Sequence, residues 1–148
     1  MQIFIDSNIV GRYFDDNDLS HFEIKLALNL LTRYGHEIVY SIQVAAEFTS
    51  FGTRLAASNG FGLSMVEVEG YLDEMERMFL LRYARSTSEY RHFRKLLHEL
   101  TPVGRKVHDL KLIATCMASG VRIILTYNDK DFVDALVIRR PHPRHYSR

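Results

Sequence analysis

The sequence predicts an α/β domain with a mainly parallel central sheet. Candidate strands and candidate helices alternate along the chain, as they do in parallel sheets whose strands are joined by helical crossovers. Two of the candidate helices end at Gly35 and Gly120, and each glycine leads into a short apolar strand. We therefore predict one domain over residues 1–138, followed by a basic tail, residues 139–148, that is poor in apolar side chains.

Length and composition limit the classes of function. The chain has 148 residues, of which 47% are hydrophobic and 25% are charged, as in an ordinary globular domain. A net charge of +1 excludes a protein that is basic over its whole surface, but it does not exclude a local basic surface. The single cysteine, Cys116, excludes an internal disulfide, fits a reducing compartment and is expected in the core. The sequence has neither a membrane-spanning run nor a signal peptide, so we expect a cytoplasmic protein without a membrane partner.

The first part of the chain predicts two strands and two helices. Gln2 to Ile5 is an apolar strand, and Asn8 is predicted to cap a short helix that ends at Phe14. A second helix begins at about Leu19, and a second strand covers Glu37 to Tyr40. The predicted inner face of the second helix consists of Leu19, Phe22, Leu26 and Leu30.

The middle of the chain is predicted to be helical. Ser41 opens a helix whose apolar face consists of Val44, Phe48, Phe51 and Leu55. Two further helices follow, each with apolar residues at helical spacing. These residues are Val68, Tyr71, Leu72, Met75, Met78 and Phe79 in the first, and Tyr90, Phe93, Leu96, Leu97 and Leu100 in the second. We predict that the two helices form an antiparallel pair that projects from the sheet.

The last predicted elements are a helix and one or two strands. The helix covers about Val107 to Ser119, and the strand Val121 to Leu125 follows it directly. Ala135 to Ile138 is a candidate for one more strand. The sequence contains no internal repeat and no boundary that would divide the domain.

Four carboxylates on four different elements indicate the chemistry. Asp6 and Asp131 follow apolar strands, whereas Glu47 and Asp109 fall within the apolar faces of helices. Each acid alone has an ordinary explanation: a turn residue after a strand, a charge at the edge of the core, or an acid in the first turn of a helix. Together they fit the rule that open α/β sheets build their sites at the carboxyl ends of strands.

A divalent cation would explain acids in such positions. Removing an unpaired carboxylate from water is costly, and four acids brought together repel one another unless a cation neutralises them. Hard oxygen ligands select Mg²⁺ or Mn²⁺, and the sequence has neither a Cys/His cluster nor the His-Glu-x-x-His helix of zinc sites. Such a site supports phosphoryl transfer, in which a metal-activated water attacks the phosphorus.

Four stretches of the chain resemble, in order and in spacing, the PIN-domain ribonucleases, and in particular the VapC-type toxins of type II toxin–antitoxin pairs. The stretches are Ile3 to Asn8, Ser41 to Phe48, His108 to Val121 and Ile124 to Phe132. The resemblance implies a PIN-like three-layer α/β/α fold and an enzyme that cuts RNA with Mg²⁺ or Mn²⁺. It also implies a homodimer that an antitoxin protein inhibits by laying a peptide across the active-site groove. Ser7, where a threonine is often found, and the basic tail depart from the family pattern.

The resemblance also implies roles for individual residues. The acidic metal cluster and catalytic residues would be Asp6, Glu47, Asp109 and Asp131. Asn8 corresponds to the polar position just after the first acid, and Thr126 and Asn128 correspond to residues that support the last acid. Asp129 is an additional carboxylate nearby. We favour Asp131 as the stronger ligand, because it directly precedes Phe132, where the family places its acid.

Substrate binding would require cations outside the acid cluster. Basic residues are concentrated in one part of the chain, at Arg82, Arg85, Arg91, Arg94, Lys95, Arg105, Lys106 and Lys111. They suit contacts with phosphates, but a solvated helix face explains them equally well. Arg12 and Lys111 are the preferred RNA contacts, because each is close in sequence to a proposed ligand. His108 could move a proton or cap its helix, and three aromatic residues could stack on a base or belong to the core: Tyr13, Phe14 and Tyr127.

The predicted function is therefore a metal-dependent endoribonuclease that acts as the toxin of a toxin–antitoxin pair. Two alternatives remain open at this point. One is a housekeeping PIN nuclease for RNA processing, and the other is a non-catalytic module that binds RNA or protein and holds a structural cation. A phospho-acceptor or phosphatase domain is disfavoured, because Asp6 lacks the second acid expected beside it or two residues later. A glycosidase would not need acids from four separate elements.

Overall fold

The computed structural model of the protein describes residues 1–82 and 86–128. The strands are β1 (Gln2–Ile5), β2 (Glu37–Tyr40), β3 (Leu80–Leu81) and β4 (Ile124–Leu125). The helices are α1 (Ser7–Phe14), α2 (His21–Arg33), α3 (Ile42–Thr53), α4 (Met65–Met78), α5 (Ser86–Leu100) and α6 (Lys106–Ser119), and a 3-10 turn covers Ala56–Ser58. Several predictions lie outside the described residues: the strand at 135–138, the domain boundary at 138, the basic tail, and the acids Asp129 and Asp131.

The strands form one parallel sheet in the order β3-β2-β1-β4. Phe4 of β1 pairs with Val39 of β2 on one side and with Ile124 of β4 on the other. Because β1 is paired on both sides and covered by helices, its residues Ile3 to Ile5 are buried on both faces. The parallel sheet and the six helices confirm the predicted three-layer α/β/α architecture.

The edge strand β3 was not predicted. It has two residues, and it follows α4 almost directly, so its apolar residues continue the helical spacing of that helix. Leu80 is paired with Val39 of β2 and is exposed on the outer side of the sheet. A strand this short carries too little alternation to be separated from a helix end by pattern alone.

Helix α1 begins two residues earlier than predicted, because its N-cap is Asp6 rather than Asn8. Asp6 is its N-cap, with an extended backbone and a carboxylate that accepts a hydrogen bond from the Ser7 amide at 2.7 Å. The prediction that Asn8 caps this helix was wrong, because Asn8 already lies within the first turn. Strand β1 therefore passes into α1 through the single residue Asp6, which fixes this carboxylate at the carboxyl edge of the sheet.

Helix α2 turns a different face to the core from the one predicted. Leu19 lies before the helix and is fully exposed, and 77% of Phe22 is exposed. The buried residues are Ile24, Ala27, Leu28 and Leu31. Two apolar stripes run side by side along this helix, and each has helical spacing. Spacing predicts the helix correctly but does not decide which stripe meets the sheet.

Both helices of the predicted projecting pair are present. A capping box between Ser64 and Glu67 starts α4, and the two side chains satisfy each other's backbone amides. Each helix packs chiefly on another neighbour, α4 on α3 and α5 on α6. Leu55, predicted on the apolar face of α3, lies beyond the end of that helix and is largely exposed.

Helix α6 matches the prediction within one residue, whereas β4 covers only Ile124–Leu125 of the strand predicted from Val121 to Leu125. Gly120 caps α6 with a φ of 72°, a left-handed conformation that glycine adopts without strain. Cys116 is fully buried, and this burial raises the pKa of its thiol, as expected for an unreactive core cysteine. Within residues 1–82 and 86–128, no helix is both long and apolar enough to cross a membrane.

Candidate metal centre

Asp6 is the most buried carboxylate of the site, with 6% of its surface exposed. One oxygen, Oδ1, accepts from the Ser7 amide, and the other, Oδ2, accepts from Asn8 Nδ2 at 2.6 Å and from Thr126 Oγ1 at 2.7 Å. Burial raises the pKa of Asp6, and the charge of Glu47 raises it further, although the bonds from Thr126 and Ser7 act in the opposite direction. The charged form of this carboxylate therefore lacks full compensation from the protein.

Glu47 lies on α3, half-buried, and faces the same region as Asp6. Ser7 Oγ donates to Glu47 Oε2 at 2.7 Å, and Gln43 Nε2 donates to Glu47 Oε1 at 2.8 Å. Ser7 Oγ also lies 3.3 Å from Asp6 Oδ1, so this hydroxyl sits between the two acids. Each oxygen of Glu47 thus has its own donor, which holds the carboxylate in one orientation.

Asp109 lies in the first turn of α6, half-buried, and lines one cavity together with Asp6 and Glu47. The volume of this cavity is about 390 Å³. The structure therefore brings together the three predicted acids that it describes, from β1, α3 and α6. Among the described residues, no three Asp, Glu, His or Cys side chains are close enough to share one ion. The oxygen donors suit Mg²⁺ or Mn²⁺, and a cation would offset the mutual repulsion of these charges.

The predicted supporting residues hold the first acid of the cluster. Asn8 Nδ2 donates to Thr126 Oγ1 at 3.0 Å as well as to Asp6, and Asn8 Oδ1 accepts from the Tyr127 amide at 3.2 Å. The Asn128 amide donates to Thr126 Oγ1 at 3.0 Å. These bonds tie the end of β4 to the β1–α1 junction across the carboxyl edge of the sheet.

The two preferred RNA contacts are both occupied by other partners. Arg12 Nη1 lies 3.1 Å from Asp18 Oδ2, and its guanidinium carbon is 4.8 Å from the ring centroid of Tyr127. Lys111 Nζ lies 3.6 Å from Glu89 Oε1 and donates to Gln43 Oε1 at 3.3 Å. These contacts give both cations a structural role beside the site.

Two arginines that the sequence reasoning did not favour line the cavity itself. Arg54 follows the last turn of α3, and Arg105 precedes the first turn of α6. Both are exposed, and neither forms an ion pair within the part of the chain that the structure describes. Arg54 is seven positions after Glu47, a helical spacing that could have identified it.

The remaining candidates divide between the core and the cavity. Tyr13 and Phe14 are partly buried and pack edge-on or tilted against other aromatic rings, which supports the core interpretation. Tyr127 is half-buried, and its hydroxyl donates to Glu23 at 3.3 Å. His108 is exposed and lines the cavity, and its backbone carbonyl accepts from Gln43 at 3.0 Å.

Several solved structures share this fold. VapBC-1 from nontypeable Haemophilus influenzae matches with a TM-score of 0.73 and 16% identity, over 97% of this chain and 99% of that chain. VapBC2 from Rickettsia felis, solved with a promoter DNA fragment, matches with a TM-score of 0.70 and 18% identity, over 96% and 98%. VapC20 from Mycobacterium tuberculosis, described as a toxin that cleaves the sarcin–ricin loop, matches with a TM-score of 0.67 and 13% identity, over 94% and 99%.

At these identities the structural matches establish the fold alone. A comparison with curated protein sequences found no significant match. A comparison with protein families, however, matches the PIN domain over residues 3–135. That range covers every element of the sheet and all three acids of the cavity, and it extends through Asp131. The chain therefore belongs to the PIN domain family.

Proposed function

We propose that this PIN domain is a metal-dependent endoribonuclease and the toxin of a toxin–antitoxin pair. The observation that carries the proposal is the convergence of Asp6, Glu47 and Asp109 on one cavity at the carboxyl edge of a parallel sheet. The proposed metal ligands are these three acids together with Asp131, and Asp129 is a further candidate. The fold of VapC20, whose description names cleavage of an RNA loop, supports RNA as the substrate.

In the proposed reaction, the carboxylates bind the cation, and neighbouring polar side chains orient the carboxylates. When bound, Mg²⁺ or Mn²⁺ supplies Lewis acidity, which activates water for attack on the phosphodiester and offsets charge on the phosphate. Ser7 and Gln43 hold Glu47, and Asn8 and Thr126 hold Asp6, so two carboxylates are oriented before the ion arrives. Ordering the ligands in advance reduces the cost of assembling the site.

Arg54 and Arg105 are proposed to contact the RNA backbone. Both reach the cavity that the acids line, and both are exposed. An arginine can donate two parallel hydrogen bonds to a phosphate, so arginines beside the carboxylates would hold the RNA backbone next to the cation. They replace Arg12 and Lys111 as the leading candidates, since those two cations already have carboxylate partners.

The proposed partners are an antitoxin protein and a second copy of the chain. Three of the matched structures are described as VapBC or FitAcB assemblies, and each match extends over most of this chain. Inhibition by a protein partner fits a cavity that opens on the surface, because a peptide laid over the carboxylates would exclude RNA.

Cleavage of a mixed cellular RNA pool with and without Mn²⁺ tests the proposal. Wild type is compared with Asp6→Asn, Glu47→Gln and, as the matched control, Asp73→Asn on the exposed side of α4. We expect metal-dependent cuts from wild type and the control, and none from the two cavity variants. Full activity of either cavity variant would contradict the assignment. No cutting by folded wild type saturated with Mn²⁺ and free of antitoxin would favour a binding module.

The same assay tests the arginines with a defined RNA. We expect Arg54→Ala and Arg105→Ala to raise KM and to leave Mn²⁺ binding unchanged, because phosphate contacts supply affinity for the RNA. Each loss should reduce the slope of log affinity against log salt by about 0.7 for single-stranded RNA. Arg33→Ala, an exposed arginine at the end of α2, is the matched control. If the salt dependence of RNA affinity is unchanged in both Arg54→Ala and Arg105→Ala, the two arginines do not contact the RNA backbone.

A further inference from the structure

We infer that Gln43 is a positioning residue, which sets the orientation of Glu47 and its separation from the first turn of α6. The inference rests on the proposed metal site and goes beyond it, because Gln43 does not itself enter the set of proposed ligands. Its side-chain amide joins three groups from two helices at hydrogen-bond distance.

All three neighbours of Gln43 agree on one orientation of its amide. The Glu47 carboxylate and the His108 carbonyl can only accept hydrogen bonds, so both require the amide nitrogen, at 2.8 Å and 3.0 Å. The Lys111 ammonium can only donate, so it requires the amide oxygen, at 3.3 Å. A rotated amide would place its oxygen against two acceptors and its nitrogen against a donor. The surroundings therefore select a single state of this side chain.

That single state places a donor on Glu47 Oε1, while Ser7 places one on Oε2. A carboxylate held at both oxygens cannot rotate without breaking one of these bonds. The donors come from two different helices, Ser7 from α1 and Gln43 from one turn earlier in α3. Gln43 is thus half of the arrangement that aims Glu47 at the cavity.

Gln43 also connects the two helices that carry acids. Gln43 lies on α3, and its side-chain amide donates a hydrogen bond to the backbone carbonyl of His108, the residue just before Asp109 on α6. In the described part of the chain, α3 and α6 do not pack extensively on each other. Because few residues of α3 and α6 approach each other closely, the hydrogen bond from Gln43 to the His108 carbonyl is a direct link between the helix of Glu47 and the helix of Asp109.

Lys111 is itself held in place from the other side. Its ammonium lies 3.6 Å from Glu89 Oε1 on α5, and the Thr115 hydroxyl donates to the same oxygen at 2.6 Å. The contacts therefore run from α5 through Lys111 and Gln43 to Glu47. Glu89 offsets part of the charge of Lys111 and holds its ammonium beside the Gln43 amide oxygen, so this lysine orients the amide.

Mn²⁺ binding measured by electron paramagnetic resonance tests the inference without requiring RNA or cleavage. Gln43→Met keeps the length of the side chain and removes all three hydrogen bonds. We expect the affinity for Mn²⁺ to fall by about tenfold or more, as is typical when residues that orient metal ligands are replaced. Thr49→Val, which removes a hydroxyl bonded only within α3, is the matched control and should bind Mn²⁺ like wild type.

A different result is expected if Gln43 stabilises the fold without orienting Glu47. If Gln43 only joins α3 to α6, Gln43→Met will lower the melting temperature of the metal-free protein and leave the Kd for Mn²⁺ unchanged, which overturns the inference. If that variant does not fold, Lys111→Met decides, because it removes the group that orients the amide. It should weaken Mn²⁺ binding in the same direction by a smaller factor, and an unchanged Kd overturns the inference.

The measurement also separates this inference from the proposed function. Wild type that binds Mn²⁺, with Asp6→Asn abolishing the binding and Gln43→Met leaving it intact, overturns the role of Gln43 and supports the metal site. Wild type that binds no Mn²⁺ overturns both. Weakened binding in Gln43→Met, with normal binding in Thr49→Val, supports both.

Discussion

Asp6 has two roles, as a helix cap and as a proposed metal ligand, and these roles have opposite effects on the stability of the folded state. As the N-cap of α1 it accepts a backbone hydrogen bond, which stabilises the start of the helix. As a buried carboxylate beside Glu47 it has a raised pKa, so its charged form destabilises the folded state at neutral pH. An N-cap that only stabilises a helix does not need to be buried beside a second acid. A buried carboxylate with a raised pKa next to another acid is typical of functional sites.

The raised pKa of Asp6 leads to a prediction about stability and pH. The folded pKa lies above the unfolded value of 3.8, so the folded state binds more protons between the two values. The contribution of Asp6 to stability is therefore complete below the unfolded pKa and is lost as pH rises through the folded pKa. In metal-free protein, the wild type should lose stability relative to Asp6→Asn as the pH rises above about 4, until Asp6 is ionised in the folded state as well.

Urea unfolding in the presence of a chelator, at several pH values, measures this difference directly. Asp73→Asn controls for the general loss of an acid, because Asp73 is exposed on α4. If the stability difference between wild type and Asp6→Asn does not change with pH, the folded pKa of Asp6 is not raised.

At the scale of elements, the sequence was most informative where one element has one apolar face. Helix α6 and strand β1 were predicted within a residue or two, because Gly120 ends the first and Asp6 ends the second. Helix α2 was located correctly but rotated, since both Phe22 and Leu28 belong to apolar stripes. The spacing of each stripe is a local property, whereas the choice between them depends on the neighbouring α1 and β2.

The rotation of α2 is testable by the stability of two leucine variants. Leu28 is 4% exposed and belongs to the core, so Leu28→Ala should lower the free energy of unfolding by about 2–5 kcal/mol. Leu19 is fully exposed, so Leu19→Ala should change it by no more than about 0.5 kcal/mol. Chemical denaturation of both variants measures the two values. A larger loss for Leu19→Ala than for Leu28→Ala would indicate that the predicted stripe, which begins at Leu19, meets the core instead.

At the scale of the whole molecule, the site depends on the topology of the sheet. Parallel pairing of β1 with β4 brings Asp6 and Thr126 together although they are 120 residues apart. The carboxyl-edge rule predicted that residues after different strands converge, but the resemblance assigned Thr126 to the last acid, whereas in the structure it donates to Asp6. The contacts of Gln43 and the positions of Arg54 and Arg105 were not predicted, because they depend on how α3 and α6 are placed relative to each other. The parallel sheet and its carboxyl edge can be inferred from pattern, whereas the spacing of two helices cannot.

Because the proposed ligands lie on or beside β1, α3 and α6, metal binding should stabilise the folded state, and it should depend on each of these elements. A cation that binds the folded state alone, at a free concentration about 100 times its Kd, stabilises that state by about 2.7 kcal/mol. We expect Mn²⁺ to raise the melting temperature of wild type accordingly. Asp6→Asn, Glu47→Gln and Asp109→Asn, which lie on or beside three different elements, should each lose most of the effect.

The controls for this thermal measurement separate a specific site from general charge neutralisation. Asp73→Asn should keep the full stabilisation by Mn²⁺, because its carboxylate lies on the exposed face of α4. Asp131→Asn should lose more of the effect than Asp129→Asn, because Asp131 is the preferred fourth ligand. Equal stabilisation of wild type and all three cavity variants would mean that Mn²⁺ binds elsewhere. A shift lost in the cavity variants alone would mean that acids from the β1–α1 junction, α3 and α6 all contribute to Mn²⁺ binding at this cavity, which no single element could achieve.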